Sequence, residues 1–345
     1  MKILFLGGTS FLGYHTVQAA LDSGHEVTLF NRGKTSARPF GDAVEYLIGD
    51  RDPRDPSGSG GLSVLEGARE WDAIVDVNGY VPRLVKAAVE LLAERCDSYL
   101  YVSTISVYAG PIPRGITEEA PHLTMEDPTD EEIMANYGAL KSLCEAEVRK
   151  RCAEKLTIVR PGIVAGPRDY TDRFTYWVQA AAQQGEHMLS PGDPGDPFQV
   201  IDARDLGKWM VHLLETKTRG VFNACGPSNT CTVGDMIEAC LQGTASSAHA
   251  TWLPWAFLEE GGVEAWTDLP MCVPPSHEVS LIRTVDSSKA YAAGLSIRPL
   301  CETARDTLAW LKVDLPSREK PNLKAGMSRE RANQVLATWL ASNPL

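Results

Sequence analysis

The chain has 345 residues, of which 43% are apolar and 23% are charged. A chain of this length can bury a large core and usually forms one or two domains. Its formal net charge of −12 disfavours a broad nucleic-acid-binding surface, because proteins that bind phosphate backbones concentrate Lys and Arg.

The first predicted elements are a strand, a glycine turn and a helix. Residues 3–6 are an uninterrupted apolar run, which is typical of a strand buried on both faces of a parallel sheet. Gly7 and Gly8 allow a tight turn, and helical spacing begins at Phe11. A second apolar run at 27–30 predicts the next strand. This order puts the N-terminus of a helix where a diphosphate can bind.

The same turn resembles a family pattern. Its glycines follow G-G-x-x-x-x-G rather than G-x-G-x-x-G, and Gly7 and Gly13 match the first and last glycines of T/G-G-x-x-G-x-x-G, with Ser10 at the middle one. The segment resembles the start of the extended short-chain dehydrogenase/reductases, the NAD(P)-dependent epimerase/dehydratase family. The resemblance implies that a dinucleotide contacts Gly7, Gly8, Thr9, Ser10, Phe11, Leu12 and Gly13.

The resemblance also implies the architecture. We expect an α/β fold with a doubly wound parallel sheet (a Rossmann fold) and a smaller, interleaved C-terminal substrate domain. The predicted dinucleotide-binding domain covers residues 1–168, with a return segment at about 198–222. Residues 169–197 and 223–345 are the predicted substrate-binding domain.

The residues after the second strand distinguish the two nicotinamide cofactors. Asn31, Arg32 and Lys34 provide two cations and no acid. An acidic residue here binds the 2′-hydroxyl of NAD, whereas Arg forms forked hydrogen bonds to the 2′-phosphate of NADP. The sequence therefore favours NADP, with NAD as the alternative. A solvated loop with incidental charge is the other interpretation.

Further strands and helices alternate along the chain. We predict strands at 44–48, 71–77, 99–102, 156–159, 198–202 and 220–226, helices at 83–95 and from 172, 203 and 298, and an irregular aromatic segment at 245–277. The segment from Arg160 to Pro167 resembles the family's R-P-x-x-x-x-G-P, which passes beneath the nicotinamide. The resemblance assigns further cofactor contacts to Asp50, Arg51, Val77, Asn78, Gly79, Pro161, Gly162, Ile163 and Val164.

Tyr137 and Lys141 are the predicted catalytic pair. Residues 129–132 read as a capping box followed by a helix to about 151, so side chains four residues apart share one face. A neighbouring ammonium lowers the pKa of a phenol from near 10 towards the range useful for proton transfer. Y-x-x-x-K also arises by chance as a solvated pair, but here its order along the chain resembles the family.

The same resemblance gives roles to neighbouring residues. Lys141 would also bind the nicotinamide ribose, and Thr104 would bind the substrate oxygen, with Ser103 as the alternative. Family dehydratases have Asp-Glu after the catalytic Thr, and decarboxylases have Glu, whereas this chain has Ile105 and Ser106. Ile163 replaces an Asn that is typical of nucleotide-sugar enzymes.

We therefore predict an NAD(P)-dependent oxidoreductase that transfers hydride at a secondary alcohol or ketone of a small metabolite. The residues expected to face the substrate are Tyr80, Ser106, Arg173 and Trp177. One alternative is an epimerase that retains NAD and acts on a sugar or nucleotide sugar. Another is a non-catalytic family member that binds RNA.

The eight cysteines are scattered and form no C-x-x-C pair, which favours buried thiols over disulfides or metal ligands. The N-terminal apolar run is too short for a signal peptide, and no stretch is long enough to span a membrane. We expect a cytoplasmic protein with a small-molecule substrate and no metal, nucleic-acid or membrane partner. A homodimer is left open.

Overall fold

The computed structural model describes residues 1–34, 38–52, 54, 61–110, 114–183, 185–226, 231–277 and 284–343. In chain order the strands are β1 (Lys2–Leu6), β2 (Glu26–Asn31), β3 (Glu45–Ile48), β4 (Trp71–Asp76), β5 (Cys96–Val102), β6 (Leu156–Pro161), β7 (Val164–Ala165), β8 (His187–Pro191), β9 (Ile201–Asp202), β10 (Gly220–Ala224) and β11 (His249–Leu253). The α-helices are α1 (Phe11–Asp22), α2 (Pro82–Leu92), α3 (Ile133–Cys152), α4 (Arg173–Gln183), α5 (Ala203–Glu215), α6 (Val233–Thr244), α7 (Trp255–Glu260), α8 (Ser288–Ala292), α9 (Leu300–Asp314) and α10 (Arg329–Ser342).

The chain divides into two compact units. The first comprises Met1–Gly162, Ala203–Cys225 and Val285–Ser296, and the second comprises Ile163–Asp202, Gly226–Thr284 and Ile297–Leu345. The sequence had assigned residues 285–296 to the substrate domain. They join the first unit because the Cys225 amide donates to Ser287 Oγ (3.1 Å) and the Tyr291 hydroxyl donates to the Cys225 carbonyl (3.2 Å).

The first unit is built on a parallel sheet. Within the described residues it has seven strands in the order β10-β6-β5-β4-β1-β2-β3. Phe5 on the central strand pairs with Leu29 of β2 and Val75 of β4, and all three side chains are buried. The apolar run at 3–6 predicts this arrangement, because both faces of such a strand are covered.

Helices cover both faces of this sheet. The connection from β1 through α1 leads to one side of the central strand, whereas those from β4 through α2 and from β5 through α3 lead to the other. Because parallel crossovers are right-handed, α1 lies on the opposite face from α2 and α3. The α5 helix packs closely on α1, since a Cβ atom on Gly207 would lie 2.9 Å from the Thr16 amide nitrogen. The prediction of a doubly wound parallel sheet is confirmed.

The second unit contains two short parallel strand pairs, β8 with β11 and β7 with β9. Its core includes Phe174 and Trp177 of α4 together with Met236 of α6. Two predictions are corrected here. The strand expected at 198–202 is only the two-residue β9, and the aromatic segment at 245–277 contains β11 and α7 rather than being wholly irregular.

Among the described residues, no helix is long and apolar enough to cross a membrane.

Candidate active site

The glycine turn after β1 is tightly packed. Gly7 and Gly8 have φ angles of +108° and +100°, which L side chains rarely adopt. A Cβ atom on Gly7 would lie 2.8 Å from Cγ2 of Val77, and one on Gly13 would lie 2.9 Å from Cα of Gly8. Glycine at these positions therefore lets α1 begin directly against the end of β1. Within the described part of the chain, the side chain of Ser10, the N-cap residue, makes no capping hydrogen bond.

The turn brings together several of the residues predicted to bind cofactor. A Cβ atom on Gly7 would also lie 3.2 Å from Cβ of Asn78, so the ends of β1 and β4 meet at the start of α1. Helix starts of this kind present backbone N–H groups to anions. The predicted contacts of Thr9, Phe11 and Leu12 stay predictions.

The end of β2 has the charge pattern that the sequence indicates. Asn31 Oδ1 accepts from the Gly33 amide at 2.9 Å. Among the described residues, Asn31 Nδ2 is buried and has no hydrogen-bond partner. Arg32 is exposed, and Lys34 Nζ lies 3.9 Å from Asp50 Oδ2. Asp50 thus lies beside Lys34. Both residues are predicted to bind the adenosine end of the cofactor.

Arg51 has a different environment from the one predicted. Its guanidinium is buried and donates both terminal nitrogens to the Asp76 carboxylate, at 2.8 and 2.5 Å, while Nε donates to the Leu84 carbonyl. Burial alone would raise the pKa of Asp76, but the adjacent Arg51 lowers it. The Tyr99 hydroxyl also donates to Asp76. Arg51 is therefore committed to an internal ion pair, and its predicted contact with cofactor stays a prediction.

The helix with the predicted catalytic pair begins later than the sequence indicates. The N-cap of α3 is Glu132, whose side chain accepts from the Met134 amide. Thr129 instead donates its amide and hydroxyl to Asp127, so the capping box predicted at 129–132 is wrong. Asn136 interrupts the helical backbone with φ −119° and ψ 19°, directly before Tyr137.

Tyr137 and Lys141 lie one turn apart on α3, with different exposure. Tyr137 is 37% exposed, whereas Lys141 is 2% exposed. The Lys141 ammonium donates to the carbonyls of Gly79 (2.7 Å) and Val102 (2.6 Å). Its Nζ lies 5.2 Å from the centroid of the Tyr80 ring. Burial lowers the pKa of Lys141 to about 8.

Tyr80 lies near both members of the pair, since its ring centroid is 6.3 Å from that of Tyr137. Lys141, Gly79 and Tyr80 thus join the segment after β4 to the middle of α3. This is the grouping that the family resemblance implies for the nicotinamide end of a cofactor site.

Thr104 lies at the N-terminus of a 3₁₀ turn, Ile105–Val107. Its hydroxyl oxygen accepts from the Ser106 amide at 3.1 Å and donates to the Ser106 hydroxyl at 3.2 Å. A Cβ atom on Gly138 would overlap the Ser106 carbonyl oxygen. Only a glycine after Tyr137 therefore lets this turn contact α3. Gly138 was not among the residues predicted from the sequence, although a glycine inside a helix often has a packing reason.

At the end of β6, a Cβ atom on Gly162 would lie 2.7 Å from the Cys225 sulfur, so this glycine permits a close contact with the end of β10. Pro161, the last residue of β6, is buried.

The other predicted contacts belong to the second unit. Ile163 is buried, and Val164 pairs with Ile201. Arg173 Nε donates to the Thr171 hydroxyl at 3.1 Å. Trp177 is fully buried and donates Nε1 to the Pro270 carbonyl. Trp177 thus lies in the core of the second unit, and its predicted substrate-facing role stays a prediction.

The model of the NAD dependent epimerase/dehydratase family matches residues 68–225. This part of the chain is similar to the family. The segment matched contains the β4–β6 strand ends, the turn at Thr104 and the Tyr137–Lys141 pair. The family resemblance predicted from the sequence is therefore confirmed over these residues.

Two known proteins each share sequence with 69% of the chain. "Chloroplast stem-loop binding protein of 41 kDa b, chloroplastic" from Arabidopsis thaliana is 28% identical over 253 residues, covering 69% of this chain and 62% of that protein. The match thus spans less than two thirds of that relative. "Epimerase family protein SDR39U1" from Bos taurus is 24% identical over 266 residues, covering 69% of this chain and 79% of that protein.

Solved structures share the fold. The crystal structure of UDP-glucuronic acid 4-epimerase from Bacillus cereus in complex with NAD superposes with a TM-score of 0.63 at 19% identity. The superposition covers 91% of this chain and 99% of the epimerase. At an identity this low, the structural likeness shows a common fold alone.

Proposed function

We propose that the chain is an NAD(P)-dependent oxidoreductase that transfers hydride at a secondary alcohol or ketone of a small metabolite. The observation that carries this proposal is the contact between Gly138 and the Ser106 carbonyl. Through it the Thr104 hydroxyl and the Tyr137 phenol belong to adjoining segments, with the Lys141 ammonium one helical turn further along α3.

The residues of the first unit fit a dinucleotide. Gly7 and Gly13 let α1 begin directly against the end of β1, where the N-terminus of a helix presents N–H groups to an anion. The buried Asn31 Nδ2 has no hydrogen-bond partner among the described residues. When bound, the nicotinamide supplies or accepts the hydride. NADP is favoured over NAD because Arg32 is exposed and no acidic residue lies between 31 and 34.

The chain's own residues would then hold the substrate and move its proton. Tyr137 exchanges a proton with the substrate oxygen, and the Lys141 ammonium favours the phenolate of Tyr137. The Thr104 hydroxyl holds that oxygen when its donor bond to Ser106 is exchanged for one to substrate. Thr104 is followed by Ile105 and Ser106, which provide no carboxylate for elimination or decarboxylation.

A second candidate function is epimerisation with a retained NAD, which would use the same residues. It is favoured by the structural likeness to UDP-glucuronic acid 4-epimerase, whereas Ile163 in place of an Asn weighs against a nucleotide sugar. A third candidate, RNA binding without catalysis, is favoured by the printed name of the Arabidopsis relative. The net charge of −12 weighs against it.

One purification separates these candidates. The protein is denatured and the released dinucleotide is quantified, and the native protein is assayed with NADPH or NADH and a panel of ketones that includes 9,10-phenanthrenequinone. Little retained dinucleotide together with ketone-dependent oxidation of NADPH supports the oxidoreductase. Stoichiometric retained NAD without net oxidation favours the epimerase. Binding of a labelled RNA hairpin at moderate salt, without either result, favours RNA binding.

A further inference from the structure

A buried arginine lies behind the candidate active site. Arg160 on β6 is 1% exposed, and Glu145 on α3 is fully buried. The guanidinium donates Nε and one terminal nitrogen to the two Glu145 oxygens, at 2.9 and 2.7 Å. This forked geometry is specific to arginine and carboxylate. The ion pair fixes α3 one turn beyond Lys141.

The other terminal nitrogen of Arg160 reaches the turn that contains Thr104. It donates to the Tyr108 hydroxyl at 2.9 Å, and Tyr108 directly follows the 3₁₀ turn, whose carbonyl at Ile105 accepts from the Tyr108 amide. The Tyr108 hydroxyl donates in turn to Asn223 on β10. One guanidinium thus contacts both α3 and the end of the turn.

We propose that Arg160 is a positioning residue, which through Glu145 and Tyr108 fixes the Thr104 turn relative to Tyr137. This inference rests on the proposed function. Both partners are buried and well oriented, so the two contacts resist solvent screening. The Gly138–Ser106 contact tolerates little displacement, because backbone lies on both sides of it. A shift of about 1 Å in reacting groups can reduce turnover by up to ~100-fold.

The sharpest test removes a single hydroxyl. Tyr108→Phe eliminates the hydrogen bond from Arg160 to the turn, together with the one that Tyr108 donates to Asn223. It keeps the ring, which lies 5.0 Å from the Arg160 guanidinium carbon. Tyr99→Phe is the matched control, because Tyr99 is also fully buried and its hydroxyl donates to Asp76 at 3.2 Å, away from Arg160. Arg160→Lys keeps the charge but cannot make the forked contact, and Tyr137→Phe reports on the proposed function itself.

Two readouts are compared. Hydrogen exchange, followed by mass spectrometry, should become faster in Tyr108→Phe and Arg160→Lys for peptides covering residues 103–110, and not in Tyr99→Phe. With NADPH and phenanthrenequinone, kcat should fall roughly tenfold in Tyr108→Phe, while the Kd for NADPH stays within about twofold. A purely structural role would lower the melting temperature in both Tyr→Phe variants alike and leave kcat unchanged.

The outcomes distinguish the two proposals. Unchanged exchange at 103–110 in Tyr108→Phe overturns the inference without any turnover measurement. It is also overturned if Tyr137→Phe abolishes turnover while Tyr108→Phe keeps the kcat of the Tyr99→Phe control. If Tyr137→Phe keeps full turnover, the proposed function is wrong, and the positioning role fails with it even where exchange is faster.

Discussion

The carbonyl oxygen of Ser106 occupies the space that a Cβ atom on Gly138 would need. This contact joins the turn that follows β5 to the helix with Tyr137 and Lys141. It is made by backbone atoms, so neither side can yield by rotating a side chain.

Gly138→Ala should therefore displace the turn or the helix. We expect destabilisation of about 2 kcal/mol, which is typical of overpacking, and a loss of turnover larger than the loss of stability explains. Thermal unfolding and ketone-dependent NADPH oxidation measure the two effects. Gly110→Ala is the control, because a Cβ atom there would meet no atom of the described residues within 4 Å. Equal stability and turnover in both variants would contradict the contact.

The buried Lys141 predicts a stability difference that depends on pH. Burial lowers its pKa from 10.5 to about 8, so between these values the unfolded chain holds a proton that the folded chain has released. The stability contributed by Lys141 is lowest below pH 8 and rises across this window. Relative to Lys141→Met, the unfolding free energy of the wild type should rise by roughly 1 kcal/mol per pH unit from 8 to 10. Denaturant titrations at several pH values would contradict this if the difference were flat.

His122 predicts a pH effect on the acid side. Its Nε2 faces an Arg160 nitrogen at 2.8 Å, so Nε2 acts as the acceptor and the ring is neutral. Burial, and then the charge of Arg160, lowers the pKa of His122 below its ordinary value of 6.5. The unfolded chain therefore takes up a proton first as the pH falls, and the wild type loses stability below about pH 6.5.

His122→Gln keeps an acceptor for Arg160 and does not titrate. The melting temperature of the wild type should fall relative to this variant between pH 7 and pH 5, and the gap should be constant above pH 7.5. A gap that does not change across the whole range would show that the His122 ring is not held neutral.

Arg32 predicts the choice of cofactor. If its guanidinium binds a 2′-phosphate, Arg32→Ala should weaken NADPH by about 10- to 100-fold, the effect expected for one hydrogen bond to a charged group. NADH should weaken by no more than about threefold. Fluorescence titration of both dinucleotides tests this, with the exposed Arg329 of α10 changed to Ala as the control. Equal weakening of the two dinucleotides by Arg32→Ala would mean that Arg32 does not select NADP.

Local patterns predicted the fold well. The apolar run at 3–6 and the glycines after it were sufficient for β1, the turn and the start of α1, because the contacts that shape them are made by neighbouring residues or by the next strand. The Tyr137–Lys141 pair was likewise visible from its spacing on one helix. These features depend on periodicity and turn chemistry, which a sequence displays directly.

Distant contacts were not visible. Arg51 was assigned to a cofactor, but its partner Asp76 lies 25 residues away. Tyr108, which accepts from Arg160, lies 52 residues from it, and nothing in the spacing of either residue indicates the pair. Trp177 was assigned to substrate, although its amphipathic position on α4 fits a core side chain equally well. Pairings between separate segments follow from the folded chain and not from local pattern.

Replacement of Tyr137 by phenylalanine tests the central claim most directly. Kinetics with NADPH and the best ketone of the panel, and NADPH binding by fluorescence, are measured on wild type and variant, with Tyr170→Phe as the exposed control. Loss of the proton-transferring phenol should reduce kcat by about 100-fold or more, while the Kd for NADPH changes less than about twofold. Turnover at the wild-type rate in Tyr137→Phe would contradict the assignment of this site.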